Sequence, residues 1–323
     1  MKILVTGGSG FIGSHLVDKL LENGNRVVVL DNLDSGKTEN LKQHQGKPNF
    51  KFIRGDMTKK EDVKKAMEDV EVVYHLAAMV GVKHYVAHPK KVILVNVKGT
   101  ENLLEASEGV KKFLFTSTSE VYGRNTEIPL KEDSDRVLGD TSVDRWCYST
   151  SKSLDEHLCF AYYRENGIPI SIVRYFNVYG PRADSSDYSG VIPIFIRRIL
   201  NGKPPQVHGD GKQTRCFTYV KDIVEGTILA AEKSKGEVFN LGTEKEINIL
   251  ELANTVLKLM NSELKPGFIP YKEFYGEYYE DIRRRVPDCS KARKILGWKP
   301  RISMEEGLKL TIEAAKLAKK ASG

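Results

Sequence analysis

Tyr148 and Lys152 stand four residues apart in YSTSK, a spacing that puts both side chains on one face of a helix. A phenol is a poor base at its ordinary pKa of about 10, but a nearby ammonium stabilises the phenolate and lowers that value. Removal of a proton from a hydroxyl then becomes feasible. The pair recurs by chance in many chains, so its weight depends on what accompanies it. Thr118 closes the apolar run FLFTST a loop and a helix start before Tyr148. A hydroxyl at the C-terminal end of a parallel strand faces the crevice where such sheets hold ligands.

A second group of residues suits an anion. Gly7, Gly10 and Gly13 form GxxGxxG between an apolar run and a helical pattern. Glycine serves there because the turn is tight, the backbone must approach a pyrophosphate, and the helix N-terminus must aim its free N–H groups at it. Asp31 ends the next apolar run, where a carboxylate accepts hydrogen bonds from a ribose diol. An acid there repels a 2′-phosphate, so NAD is favoured over NADP. Asp56, ending the third run, is placed to accept from an adenine amino group or simply to close a turn.

These residues need a scaffold that gathers strand ends and helix starts at one edge. The runs KILVT (residues 2–6), RVVVLD, FKFIRGD and VEVVYHLAA alternate with helical patterns, the first being FIGSHLVDKLLENG with Gly24 as its stop. Strands apolar on both faces and separated by helices imply a parallel sheet covered on both sides. The series continues through the helix VNVKGTENLLEAS, the strand KKFLFTST, the helix YSTSKSLDEHLCFAYYREN and the strand ISIVRYFN. Beyond residue 180 the alternation weakens, and Gly and Pro become frequent in YGPR, NGKPP and GDGK. The expected architecture is α/β: a Rossmann-type doubly wound parallel sheet over residues 1–180, with later strands from 205–245. Residues 181–323 would form mainly a smaller mixed α/β lobe for substrate.

Taken together, GxxGxxG, HLAA after the fourth strand, Thr118, YxxxK and RYFNVYGPR resemble the extended short-chain dehydrogenase/reductase family that acts on nucleotide sugars. The likeness runs nearly end to end, through GDGKQTRCFTYVKD and KARKILGWKP. It implies a tightly held NAD, a nucleotide-sugar substrate of the UDP-linked kind, and a homodimer formed through helices flanking the sheet. It implies that Tyr148 takes the proton of the carbon 4 hydroxyl, that Lys152 holds the nicotinamide ribose and tunes Tyr148, and that Thr118 hydrogen-bonds the reacting oxygen. Beside the glycines, Asp31 and Asp56, it implies cofactor contacts at Phe11, Ile12, Asn32, Met57, Leu76, Ala77, Ala78, Asn96 and Tyr175. Substrate contacts are implied at Tyr85, Asn177, Val191, Arg215, Arg283 and Arg285. Asn177, Arg215 and Arg283 match positions that bind the nucleotide diphosphate, and guanidinium forks suit that task.

The reaction that follows oxidation at carbon 4 stays open, with 4-epimerisation leading. An epimerase needs little beyond this set, because the ketone rotates and hydride returns to its other face, and the segment DYSGVIPIFIRRILNGKPPQVHGDGKQTR resembles epimerases. A 4,6-dehydratase needs Asp-Glu after the threonine, whereas Ser119 and Glu120 follow Thr118 here. UDP-glucuronate decarboxylases are the alternative: they resemble this chain in Thr118-Ser119-Glu120, in a tyrosine at Tyr85, in Arg145-Trp146, and in an arginine near Arg285 beside a proline. Oxidation at carbon 4 makes a glucuronate a β-keto acid, and Glu120 and Arg285 would then position its carboxylate. A binder that has lost turnover would be expected to lack Tyr148 or Lys152, and both are present.

Composition narrows the rest. The chain has 323 residues, 40% hydrophobic and 29% charged, too many for one small core. Its net charge of +7 is spread among acids, as in KKEDVKK and KEDSD, which does not suit nucleic acid. Cys147, Cys159, Cys216 and Cys289 are too scattered for a disulfide framework or a zinc site, and no metal is expected. KILVTGGSGFIG follows Met1 without a basic segment or cleavage pattern, and no apolar stretch approaches a bilayer span. The expectation is a cytoplasmic enzyme with no membrane partner.

Overall fold

The computed structural model describes residues 1–184, 186, 190–270 and 282–322. Seven strands form the main sheet: β1 (Lys2–Thr6), β2 (Arg26–Asp31), β3 (Phe50–Arg54), β4 (Val72–His75), β5 (Lys112–Thr118), β6 (Ile170–Tyr175) and, after four short strands outside it, β11 (Glu237–Leu241). Their order is β11-β6-β5-β4-β1-β2-β3, and every neighbouring pair is parallel. The sheet is the expected doubly wound Rossmann type. Its order reverses between β1 and β4, where the chain leaves in opposite directions and opens a crevice at the strand C-termini.

The two-sided apolarity of the strands has a direct cause. Successive side chains point to opposite faces, so Ile3 and Val5 enter one core while Leu4 enters the other. The first core is covered by α1 (Phe11–Glu22) and, later in the chain, α7 (Val220–Lys233). The second lies under α2 (Lys60–Met67), α4 (Pro89–Glu105) and α5 (Arg145–Asn166), with the short α3 (Val82–Ala87) preceding α4. Phe113 and Phe115 of β5 face this second core, and Leu114 faces the first.

The later chain adds α6 (Val191–Leu200), α8 (Ile249–Leu259) and α9 (Met304–Ser322). Three small strand pairs accompany them. Val178–Tyr179 (β7) pairs with Thr218–Tyr219 (β10) and Gln206–His208 (β8) with Gly267–Ile269 (β13), both parallel; Thr214–Arg215 (β9) pairs antiparallel with Ile247–Asn248 (β12). Phe195, Val207, Leu252 and Leu308 join the α1/α7 core, so the later elements pack onto the main sheet's helical layer.

Two apolar runs stop as strands earlier than their sequence suggests. β3 ends at Arg54, before Asp56, and β4 ends at His75, before the small residues of HLAA. Both tails continue as loop and turn instead of extending the sheet. Ser186 and Gly190 flank residues 187–189, so the DYS of the epimerase-like segment lies outside the described residues. Among the described residues, no helix is long and apolar enough to cross a membrane, and the four cysteines are free thiols.

Candidate active site

The crest between β1 and α1 is a cradle for an anion. Gly7 has φ +69°, and a Cβ there would sit 2.8 Å from the Ala77 nitrogen. A Cβ on Gly13 would sit 2.1 Å from the Gly7 oxygen. Side chains are therefore excluded where the backbone must turn and where α1 must lie close to it. The Gly10 cap offers no side-chain hydrogen bond, and the first turn of α1 contains no acid, which leaves its N–H groups for an anion. Phe11 and Ile12 pack against the core and hold the helix start in place.

Asp31 is buried beside this turn, accepting from the Ser9 and Leu33 amides at 2.9 Å each. Burial raises its pKa, and those amide bonds pull it back. A carboxylate with lone pairs left over at this strand end suits a ribose diol. Cradle, helix end and acid fit a dinucleotide.

The other residues implied for the cofactor sit in varied settings. Asn32 is exposed, its amide oxygen accepting from the Asp34 amide. Asp56 accepts from the Thr58 amide and hydroxyl, closing a turn, and Met57 is buried beside it. Leu76, Ala77 and Ala78 are half-buried along the rim, and Ala77 donates to the Thr6 hydroxyl. Asn96 is buried, spanning from Met79 to the Ser151 hydroxyl, and so ties α4 to α5. The Tyr175 hydroxyl bonds Thr227 on α7 at 2.8 Å.

Across the crevice, Tyr148 lies in the first turns of α5 and packs in a small cluster with Met79, Tyr85 and Val92. Tyr85 stacks on it, with ring centroids 6.4 Å apart. Thr118, at the end of β5, accepts from the Glu120 amide and hydrogen-bonds the Tyr148 hydroxyl. The next four residues, Ser119–Tyr122, form a 3-10 turn in which Ser119 is buried.

Lys152 is buried one turn along α5, with its nitrogen 3.9 Å from the Phe115 ring centroid and 3.8 Å from the Asp155 carboxylate. Burial raises the Tyr148 pKa above the usual phenol range, Glu120 and Asp155 add to the rise, and the Thr118 hydrogen bond opposes it. Desolvation lowers the pKa of Lys152, and Asp155 raises it.

Glu120 is the second centre of the site. Arg285 donates to one of its oxygens, and Arg145 lies 3.6 Å from the other. Burial would push its carboxyl up, but Arg285, Arg145 and Arg215 outweigh that and hold it at about 2. Arg285 is only 4% exposed, and its Nε and Nη2 have no hydrogen-bond partner among the described residues.

Tyr85, Thr118, Glu120, Tyr148 and Arg285 thus meet at one end of the crevice, with Arg215 near enough to act on Glu120. Asn177, at φ +38°, bonds the Cys216 carbonyl between β7 and β10, and Val191 opens α6 half-buried. Arg283 turns outward: its side chain is 71% exposed and donates to Asp210. Sequence reasoning did not single out Asp155, although its three-residue spacing from Lys152 was readable. It noted Arg145 only as part of a shared dipeptide, and the pairing with Glu120 had no local signal.

Comparison with known proteins agrees with this geometry. The family model described as GDP-mannose 4,6 dehydratase matches residues 4–311. The chain is 44% identical over 314 residues to the UDP-N-acetyl-alpha-D-glucosaminuronate decarboxylase of Bacillus cytotoxicus, covering 97% of each. It is 41% identical to UDP-glucuronic acid decarboxylase 3 of Arabidopsis thaliana, covering 98% of this chain and 90% of that protein. Among solved structures, the UDP-glucose 4-epimerase of Thermotoga maritima with UDP-glucose superposes with a TM-score of 0.90 at 38% identity, covering 98% of this chain and 99% of that one. The UDP-glucuronic acid 4-epimerase of Bacillus cereus, in complex with UDP-glucuronic acid and NAD, gives 0.88 at 34%, covering 98% and 100%. The chain belongs to the family of that model, the NAD-dependent nucleotide-sugar enzymes of the extended short-chain dehydrogenase/reductase class.

Proposed function

We propose that the protein decarboxylates a UDP-linked hexuronate through a transient 4-ketone. The observation that carries this reading is Arg285, buried against Glu120 beside Thr118 with two guanidinium nitrogens unbonded. A carboxylate is the group whose geometry matches such a fork. The 44% identity to a decarboxylase over 97% of both chains supports the same reading and moves it ahead of epimerisation.

Tyr148 accepts the proton of the carbon 4 hydroxyl, and Thr118 holds that oxygen by a hydrogen bond. NAD, which the glycine turn of Gly7, Gly10 and Gly13 and the Asp31 carboxylate would hold, would supply the hydride acceptor and donor for this chemistry. With a ketone at carbon 4, the carboxylate on carbon 5 is in the β position. Cleavage of the carbon 5–carbon 6 bond releases carbon dioxide and sends the electron pair to the carbon 4 oxygen. Tyr148, now protonated, and Thr118 donate to that enolate oxygen, and a proton from solvent then completes carbon 5. Glu120 anchors Arg285, and its negative charge faces the departing group, which favours loss of the carboxylate as a neutral molecule.

Epimerisation is the second reading, favoured by the likeness to the Thermotoga enzyme. Incubating the NAD-loaded protein separately with UDP-glucuronate, UDP-N-acetylglucosaminuronate and UDP-glucose, and following products by mass and proton NMR, separates the two. Loss of carbon dioxide from a uronate is the expected result. An equal-mass product inverted at carbon 4 would replace the proposal with epimerisation.

A further inference from the structure

Asp155 takes no step in the chemistry just described, yet it lies near enough to raise the Tyr148 pKa. The residue is fully buried, and neither carboxylate oxygen has a hydrogen bond of good geometry. An ionised carboxylate in that state is costly unless a charge compensates it. The compensating charge is Lys152, 3.8 Å away on the same face of α5. Lys152 has the complementary problem, since it is 2% exposed and one of its neighbours is the face of Phe115. Each ion is tolerable in this interior because of the other.

Among the described residues, the surroundings add no second charge of comparable effect. From α5 itself, Glu156 and Cys159 face the pair; Glu156 is occupied by two hydrogen bonds from Arg174, and Cys159 is a buried thiol. From α4 the Thr100 hydroxyl reaches toward Asp155, and from β4 His75 is bonded between Thr6 and Thr100. Burial and then the Lys152 charge hold that imidazole well below its ordinary pKa, so it is neutral. β5 contributes the uncharged Phe115.

We propose that Asp155 is a positioning residue for the reaction: it anchors Lys152 against Phe115 and keeps it an ammonium one helical turn from Tyr148. This rests on the reading of Tyr148 as the base and deepens it, because the cation that must stabilise a phenolate would otherwise shed its proton to escape burial. Burial raises the Asp155 pKa to about 6, even against the pull of Lys152 and Thr100, so the carboxylate is ionised above that range and able to hold its partner.

Lysine labelled with carbon-13 in the NAD-loaded protein, with the Lys152 signal assigned by its loss in Lys152→Arg, reports the deprotonation midpoint without turnover. In Asp155→Asn that midpoint should fall by about one unit or more, the usual size of a nearby opposite charge. The alkaline limb of kcat, on whichever of UDP-glucuronate and UDP-glucose is converted, should fall with it, and Asp155→Glu should restore both. An unmoved midpoint, or a moved midpoint with an unmoved limb, overturns the proposal. If Asp155→Asn does not fold, the wild-type titration decides: the Lys152 signal must step near pH 6 as Asp155 takes up its proton, and a flat trace there overturns the proposal. Turnover by Tyr148→Phe would remove the base assignment alone, because the Lys152 midpoint judges Asp155 independently of it.

Discussion

Arg174 and Arg285 are both buried, each against a glutamate, and they use their guanidinium groups differently. Arg174 donates from Nε and Nη2 to both oxygens of Glu156, at 2.9 and 2.6 Å, and from Nη1 to the Tyr122 hydroxyl and the Glu132 carbonyl. Tyr122 in turn donates a hydrogen bond to the Oδ1 of Asn240 on β11. Every nitrogen of that guanidinium is engaged, and the network joins α5, β6, β11 and the turn after Thr118. Arg285 gives Nη1 to Glu120 and, among the described residues, leaves Nε and Nη2 without partners. A saturated buried pair can only hold the fold together, whereas an unsaturated one beside a crevice has capacity left for a ligand.

That contrast is open to test. Arg174→Met strands Glu156 in the interior and should cost about 3–5 kcal/mol of stability, the range for breaking a buried ion pair. Denaturant midpoints measure it, and kcat of the protein that remains folded should be unchanged; a stable variant with lost turnover would reverse the roles assigned to the two pairs. Arg285→Met should lower turnover, with a smaller loss of stability than Arg174→Met because Arg145 still faces Glu120. Hydrogen bonds to a charged group are worth about 1.5–3 kcal/mol, so decarboxylation of a UDP-uronate should fall roughly 10- to 150-fold in kcat/KM. Turnover unaffected by this change would leave the carboxylate site without its principal ligand and end the decarboxylase reading.

How much of this was legible in the sequence depended on chain distance. The glycine cradle, Asp31 and the Tyr148–Lys152 pair are each set by one strand–turn–helix or one helical turn, so spacing alone located them. Glu120 and Arg285 are 165 residues apart, and no periodicity connects them. The run Arg283-Arg284-Arg285 shows the limit most clearly. Its coil has no repeating pattern to say which guanidinium turns inward, and the choice is made by tertiary pairing: the Leu130 amide bonds the Val286 carbonyl, and the Asp288 amide bonds the Leu130 carbonyl. That clasp directs Arg285 to Glu120 and leaves Arg283 to Asp210 at the surface. Asp155 was hidden for another reason. An acid three residues after a lysine usually reads as a surface pair, and only the packing of α4 over α5 makes it an interior one.

The smallest effect expected concerns the Glu120 cluster and pH. Burial raises this carboxyl and the arginines lower it further, from an ordinary 4.5 to about 2. A depressed folded-state pKa means that between these values the unfolded chain binds the proton and the folded one does not, so stability rises with pH through that window. The contribution is complete above 4.5 and is lost as pH falls through 2. Glu120→Gln has no such proton to bind, and it leaves Arg285 and Arg145 facing a neutral amide. Its deficit relative to wild type should therefore be greatest near neutrality and shrink as pH falls below 4.5. Arg174 and Glu156 are unchanged in both proteins, so their pH dependence cancels from the difference. Chemical denaturation at a series of acidic pH values gives the difference directly. A deficit that stays constant would mean that Glu120 draws nothing from its arginines, and Arg285 would then be held in place by the Leu130 clasp alone.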